Sequence, residues 1–393
     1  MDCQLPTPIR TEWLATRAIE RVTHIAPGFS GASVYRCQSS DGTQWALKHW
    51  PIENSPSRVA EVHQVQQAAR DGGIESVPKI EASMTVAGRI WELSTWMTGD
   101  PATGNAAPAT VQAGAELIRQ FHQAVSVLGS MEQPAPAIQN RIQRLNQLRH
   151  ELPAALRDAG VAITAMPVPV GESIGRACRE LAQHWNSVAA EMDAQLTAFA
   201  RTPVPTQFVL RDVHREHILF SNLNANANPV PALSPSPPGL VLASQLAAGT
   251  QVPVPTGLID FDAVRVDTPI ADLARWVGSF LASRNRTEER ELWQAALADW
   301  GRKDVLQQRI VWGDSATQVT DHSPNWLGMG LNPQDALPLA QTLHFATTWI
   351  SLANWVIWCV SQKRVFLAGP DQIAGRIDDW TTLAVRDRMF PQT

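Results

Sequence analysis

The segment Leu210-Arg211-Asp212-Val213-His214-Arg215-Glu216-His217-Ile218-Leu219-Phe220 sets a carboxylate, Asp212, and an imidazole, His217, in a short polar loop between two apolar runs. Further on, Leu258-Ile259-Asp260-Phe261-Asp262 ends an apolar strand on two carboxylates. A loop carboxylate on a rigid frame can take the proton of a hydroxyl as that oxygen attacks. A strand-end carboxylate is costly to bury unless it binds a cation or is hydrogen-bonded, and magnesium held by one or two carboxylates and phosphate oxygens meets that need. The two together suit phosphoryl transfer. Asp212 is the candidate base, with Arg215 beside it to offset the charge of a transferred phosphate. His217 and Asp260 are the candidate metal ligands, and Asp262 either joins them or faces solvent.

Upstream, Gly28-Phe29-Ser30-Gly31-Ala32-Ser33 lies between strands. Its amides, with the hydroxyls of Ser30 and Ser33 and the freedom of Gly28 and Gly31, could line nucleotide phosphates. A hairpin turn is the plainer reading of the same residues, and the spacing is not that of a dinucleotide fold. Lys48 follows in the apolar strand Trp45-Ala46-Leu47-Lys48-His49-Trp50, where an inward ammonium would meet phosphates. Of 32 basic residues only Lys48, Lys79, Lys303 and Lys363 are lysine, which sets this one apart. A lysine on an edge strand facing water is the alternative. Glu61, on the next helix, could pair with Lys48; Glu53 is its rival.

The elements that must carry these residues fall into two groups. Val22 to Ala26, Val34 to Gln38, Gln44 to Lys48 and Arg89 to Met97 read as strands, the middle two joined by a turn at Ser39-Ser40-Asp41-Gly42. One helix opens at Pro56 with Ser55 as cap and stops at Gly72-Gly73. From there the periodicity is helical: Val111 to Val125, Ile138 to Leu156, Ile174 to Ala200, Leu273 to Leu281, Glu288 to Trp300 and Leu343 to Val360. The expected fold is α+β, a small antiparallel-sheet lobe over residues 1–97 and a larger helical lobe over 98–393. Residues 221–256, rich in Pro and Ala and free of charge from 221 to 256, read as a mobile insertion. Asp267 is expected to cap the helix beginning near Pro269, and Asp272 to brace the Asp212 loop.

With 393 residues the chain can bury a large core, and 44% hydrophobic with 18% charged residues is ordinary for a globular protein. A net charge of -5 argues against a nucleic-acid partner. Cys3, Cys37, Cys178 and Cys359 form no CxxC pair and read as free thiols in a reducing compartment. No signal peptide is apparent, so a cytoplasmic location is expected. Leu343 to Val360 is apolar but carries His344, Thr347, Thr348, Ser351 and Asn354, and reads as a buried helix rather than a membrane span. Nine of the 15 tryptophans fall from Trp276 to Trp380; they could cage a quaternary ammonium, or simply pack a helical lobe.

Asp212-Val213-His214 with His217, Ile259-Asp260-Phe261-Asp262, and Asp267-Thr268-Pro269 through Asp272-Leu273-Ala274 together resemble the aminoglycoside phosphotransferase and choline kinase superfamily. Gly28 to Arg36, Lys48 and Leu117 to His122 agree with its glycine loop, strand lysine and first large-lobe helix. The resemblance spans roughly residues 20–290. It implies a protein-kinase-like bilobal fold, ATP with magnesium, and transfer to a hydroxyl of a small molecule such as an amino sugar or aminoalcohol. Asp212 would be the base and Asp260 the metal ligand. Two positions depart from the pattern. Leu210 stands where the family usually has His, and His217 where it has a metal-binding Asn. Imidazole suits softer ions than magnesium, so manganese use or weakened catalysis is expected. A kinase-like protein that binds a nucleotide or partner without turnover is the alternative reading. A protein kinase fits less well, because Asp260-Phe261-Asp262 leads straight into a Pro-initiated helix and leaves little room for a peptide-docking loop.

Overall fold

The computed structural model describes residues 5–25, 31–221, 253–298, 300 and 333–389. Gly28, Ser30 and almost all of the expected insertion lie outside them.

Strands β1 (Ile19–His24), β2 (Ser33–Ser39) and β3 (Gln44–His49) form an antiparallel meander. Helix α1 (Pro56–Asp71) follows, its Ser55 cap accepting a hydrogen bond from the Arg58 amide and Pro56 at its first position. β4 (Ile80–Val86) and β5 (Arg89–Thr95) complete a five-stranded sheet in the order β1-β2-β3-β5-β4. This order makes β3 the central strand, so Lys48 is not on an edge. β4 is absent from the sequence-based expectation because its polar residues interrupt the alternation; pairing with β5 compensates.

A short β6 (Asp100–Pro101) leads into α2 (Pro108–Val125), β7 (Ser130–Pro134), α3 (Pro136–Thr164), α4 (Val168–Phe199), β8 (Pro203–Val209) and β9 (Ile218–Ser221). Beyond the undescribed 222–252 come β10 (Val254–Leu258), β11 (Arg265–Asp267), α5 (Pro269–Gly278), α6 (Arg286–Leu297), α7 (Pro333–Val356) and α8 (Pro370–Met389). The result is the expected α+β bilobal arrangement. Two three-stranded ribbons, β10-β9-β6 and β11-β8-β7, present the two acidic loops. One acidic loop joins β8 to β9 and the other joins β10 to β11.

The apolar C-terminal segment, Ala336–Ser361, is long and apolar enough to cross a membrane, yet its most apolar window is 72% buried within the fold. Trp276, Trp293 and Trp349 are fully buried core residues. Trp276 also donates its indole N–H to the Val111 carbonyl at 2.9 Å, tying α5 to α2. These rings pack the lobe and form no cage.

Where α7 meets α8, His344 Nε2 lies 3.8 Å from Asp387 Oδ2. Burial pushes the Asp387 carboxyl up to about 7 despite Arg386, while burial and the charges of Arg386 and Arg275 push His344 down to about 3. A raised acid favours the fold at low pH and loses that contribution as pH rises through its folded value. A depressed histidine favours the fold above its ordinary value and loses that contribution as pH falls. Between roughly pH 4 and 6.5 the two slopes cancel, because folding only moves one proton from imidazole to carboxyl. Asp387→Asn leaves the histidine slope alone. Relative to the wild type its stability should fall by about 1.4 kcal/mol per unit as pH drops from 6.5 toward 4. Urea unfolding across that range reads this out, and parallel curves for the two proteins would refute the proton exchange.

Candidate functional site

A cleft of about 700 Å³ runs between the sheet and the helical lobe. Ala32, Val34 and Arg36 of the first hairpin, Ala46 and Lys48 of β3, and the linker Thr95 to Gly99 line one side. His217, Leu219, Ile259, Asp260 and Asp262 line the other. Side chains alternate between the two faces of a strand. Ala32 and Val34 therefore face the cleft, whereas Gly31 and Ser33 are not among its lining residues. The serine expected to assist phosphates is turned the other way. At Gly99, φ is +122° and an added Cβ would overlap Thr256 and the Phe220 main chain, so only glycine fits where the linker enters the large lobe.

Lys48 points into the cleft from the central strand. Its ammonium forms a short ion pair with Asp262 and sits 4.0 Å above the Trp50 ring. Burial works against its charge, but Asp262, Glu92 and Asp260 outweigh burial and raise its pKa, so the ammonium persists. Glu61 does not take part, contrary to expectation. It pairs with Arg58, one turn earlier on the same helix, and that shorter path captures it. Arg58 in turn donates to the main-chain carbonyls of Asp262, at 2.8 Å, and Val264. Helix α1 thus grips the metal-side loop with an arginine and offers no glutamate to Lys48.

The Asp212 loop is built on strain and bracing. Arg211 has φ +65° and Asp260 φ +63°, left-handed values that cost a non-glycine residue about 1–3 kcal/mol and persist only when neighbours fix them. Asp272, fully buried on α5, fixes the first. Its carboxylate accepts the amides of Leu210 at 2.7 Å and Arg211 at 2.6 Å, and its Oδ2 also meets His122 Nε2 at 2.8 Å. Asp272 therefore braces the loop as expected, with His122 of α2 as a partner that sequence reasoning did not assign. Asp267 does not cap α5. It accepts the Ala137 amide at 2.8 Å, at the start of α3, and the Thr268 amide at 2.8 Å.

Asp212 itself turns two ways. Its carbonyl meets His217 Nδ1 at 2.8 Å. A carbonyl only accepts, so Nδ1 carries the proton and Nε2 of the neutral ring keeps its lone pair. Nε2 lies 3.5 Å from Asp260 Oδ2, a separation at which one cation can touch both. The donor set fits a divalent ion completed by phosphate oxygens, with His217 and Asp260 as the protein ligands. Asp262, the third candidate ligand, is taken by Lys48. Among the described residues no cluster of three or more ligating side chains occurs.

The Asp212 carboxylate is half-exposed and accepts Arg275 Nε at 2.9 Å. Arg275 stacks over Trp380 at 5.2 Å and lines a small hollow with Arg215, Arg376 and Asp379. Arg215 faces that hollow. It pairs with Asp379 at 3.2 Å and donates to the Ser279 carbonyl. The Asp379 carboxylate is thus engaged, and Asp378 pairs with Arg176. His214, whose tilted ring lies 3.8 Å from that of His217, is kept neutral first by burial and then by the nearby arginine charges.

Glu92, Trp50, His122 and Arg275 are site residues that motif reading missed. For Glu92 the sequence held a signal: a lone acid inside Ile90-Trp91-Glu92-Leu93, an otherwise apolar strand, demands a buried partner.

No curated protein matches the sequence. Among solved structures, an amicoumacin kinase in complex with AMP-PNP, Ca2+ and Ami shares the fold at 11% identity and a TM-score of 0.52, over 98% of this chain and 95% of that one. A choline kinase from Cryptosporidium parvum Iowa II aligns at 11% identity and a TM-score of 0.47, over 95% of this chain and 90% of that one. A family model described as the phosphotransferase enzyme family matches residues 21–232, more than half of the chain, which includes Lys48, Asp212 and His217. The chain belongs to the phosphotransferase enzyme family.

Proposed function

We propose that this protein is an ATP-dependent phosphotransferase that moves the γ-phosphoryl group to a hydroxyl of a small molecule, of amino sugar, aminoalcohol or similar type. The observation that carries the reading is one cleft lined by Lys48, His217 and Asp260, with Asp212 in the same loop as His217, its carbonyl on the His217 ring and its carboxylate on Arg275. Lys48 binds phosphate oxygens from the small lobe. Asp212 receives the acceptor's proton as its oxygen attacks, while Asp272 and His122 keep the loop in register. A divalent ion held by His217 and Asp260 would neutralise phosphate charge when bound. The acceptor meets the half-exposed Asp212 carboxylate from the side of Arg275.

An ATP-consumption screen across amino sugars, aminoalcohols, sugars and hydroxy amino acids, run with magnesium and with manganese, tests the reading. Metal-dependent ATP binding with transfer to one acceptor class is expected. The ion pair between Asp212 and Arg275 favours a second reading, nucleotide binding without turnover, because an acceptor must displace the arginine to use the carboxylate. Binding that ignores EDTA, with no consumption for any acceptor, would select that reading.

His217→Asn exchanges an imidazole for an oxygen ligand. It should shift preference from manganese toward magnesium by about tenfold, measured as the ratio of ATP affinities in the two ions. An unchanged ratio would remove His217 from the metal site.

A further inference from the structure

We propose that Glu92, held by His63 and Trp50, is the positioning residue that keeps Lys48 aimed into the cleft once nucleotide phosphates displace Asp262; the assignment rests on the phosphotransferase reading above. Lys48 and Glu92 are directly opposite in the β3–β5 register, so their side chains leave the sheet on the same face, and both line the cleft. Glu92 is 5% exposed. A carboxylate that deep must be matched by cations or donors. Trp50 Nε1 donates to its Oε2 at 2.9 Å, and His63 Nε2 lies 2.8 Å from the same oxygen. Both contacts use Oε2, and Oε1 is the oxygen neither of them takes. Burial opposes the charge on Glu92, but the His63 bond and the nearby ammonium of Lys48 prevail and hold it ionised.

Trp50 joins the two groups physically. Its ring face lies under the Lys48 ammonium while its N–H holds Glu92. Asp262, the other acid on Lys48, sits in the loop that must face phosphate, where phosphate oxygens compete for the same ammonium. Glu92 sits on a strand within the sheet and has no such competitor. Helix α1 offers Lys48 no acid of its own, because Glu61 belongs to Arg58, but its His63 holds Glu92. His63 therefore transmits the position of α1 to Lys48 by way of Glu92.

Glu92→Gln, His63→Gln and their combination should be titrated calorimetrically as full-length proteins with ATP plus metal, and separately with adenosine. Glu92→Gln is expected to weaken ATP at least about tenfold, the equivalent of one charge-assisted contact, with adenosine affinity unchanged. His63→Gln should weaken ATP less, and the double variant no more than Glu92→Gln alone, since the two act in series. Glu92→Asp keeps the charge one methylene further away and should fall between; it also serves if the amide variant does not fold. Equal loss of ATP and adenosine would mean that Glu92 only packs the cleft, and unchanged ATP affinity would leave it no role; either overturns the assignment. No ATP binding by the wild type would overturn the phosphotransferase reading and this assignment with it. ATP binding by the wild type with an indifferent Glu92→Gln would overturn the assignment alone.

Discussion

Asp212→Asn should lower phosphoryl transfer by about 10²–10⁴-fold while leaving ATP affinity and folding nearly intact. Asparagine keeps the shape of the side chain but cannot take the acceptor's proton. The loop holds its course regardless of that substitution, because Leu210 and Arg211 are fixed by Asp272 and His217 is fixed by the Asp212 main-chain carbonyl. The ion pair with Arg275 is lost, but the carboxylate is 53% exposed, and an exposed pair of this kind contributes no more than about 1 kcal/mol. The expected signature is therefore an equal drop in kcat and kcat/KM with unchanged melting temperature. A variant that transfers phosphate at the wild-type rate to the same acceptor would take the base role away from Asp212.

Asp272→Ala should have the opposite profile, a large loss of stability that removes activity as a consequence. The substitution strips acceptors from the Leu210 and Arg211 amides and from His122; the Leu210 and His122 contacts are buried and the Arg211 contact is part-buried. Each buried donor left without a partner costs about 1–3 kcal/mol. Some relaxation is expected, so a loss of about 3–5 kcal/mol is predicted for the whole site. Arg211, at φ +65°, loses the bond that holds its left-handed conformation, so the catalytic loop should relax even in the fraction that stays folded. Chemical denaturation gives the stability term, and residual activity per folded molecule gives the second. A loss below about 1 kcal/mol would show that the loop is held by something other than this carboxylate.

Much of the fold is readable in the chain because its signals are local. The Ser55-Pro56 start of α1, the Gly42 turn between β2 and β3 and the apolar periodicity of α2 each act within a few residues. Boundaries drift where tertiary contacts extend an element. α3 runs on to Thr164, beyond the expected Leu156, and α8 forms from a segment of weak periodicity because it packs on α4 and α7. Site residues divide in the same way. Asp212, His217, Asp260 and Lys48 stand out by type and context, an acid or imidazole in a loop or a lysine in an apolar strand.

What the sequence determined by itself is the inventory: two acidic loops, one lysine in an apolar strand, an imidazole where the family pattern has an amide, and the order that places them in this family. What the tertiary structure alone decided is who pairs with whom. By sequence Glu61 is the acid offered to Lys48, with Glu53 its rival, yet Arg58 claims Glu61 and the β3–β5 register brings Glu92 opposite Lys48 instead. Asp267 looks like a cap for the helix that follows it, yet it holds the start of a helix 130 residues away in sequence. The physical reason is that an ionised group in a low-dielectric interior is stable only beside its counter-charge or donor. Which partner arrives there is fixed by strand register and helix packing, and neither is written within a few residues of the group itself.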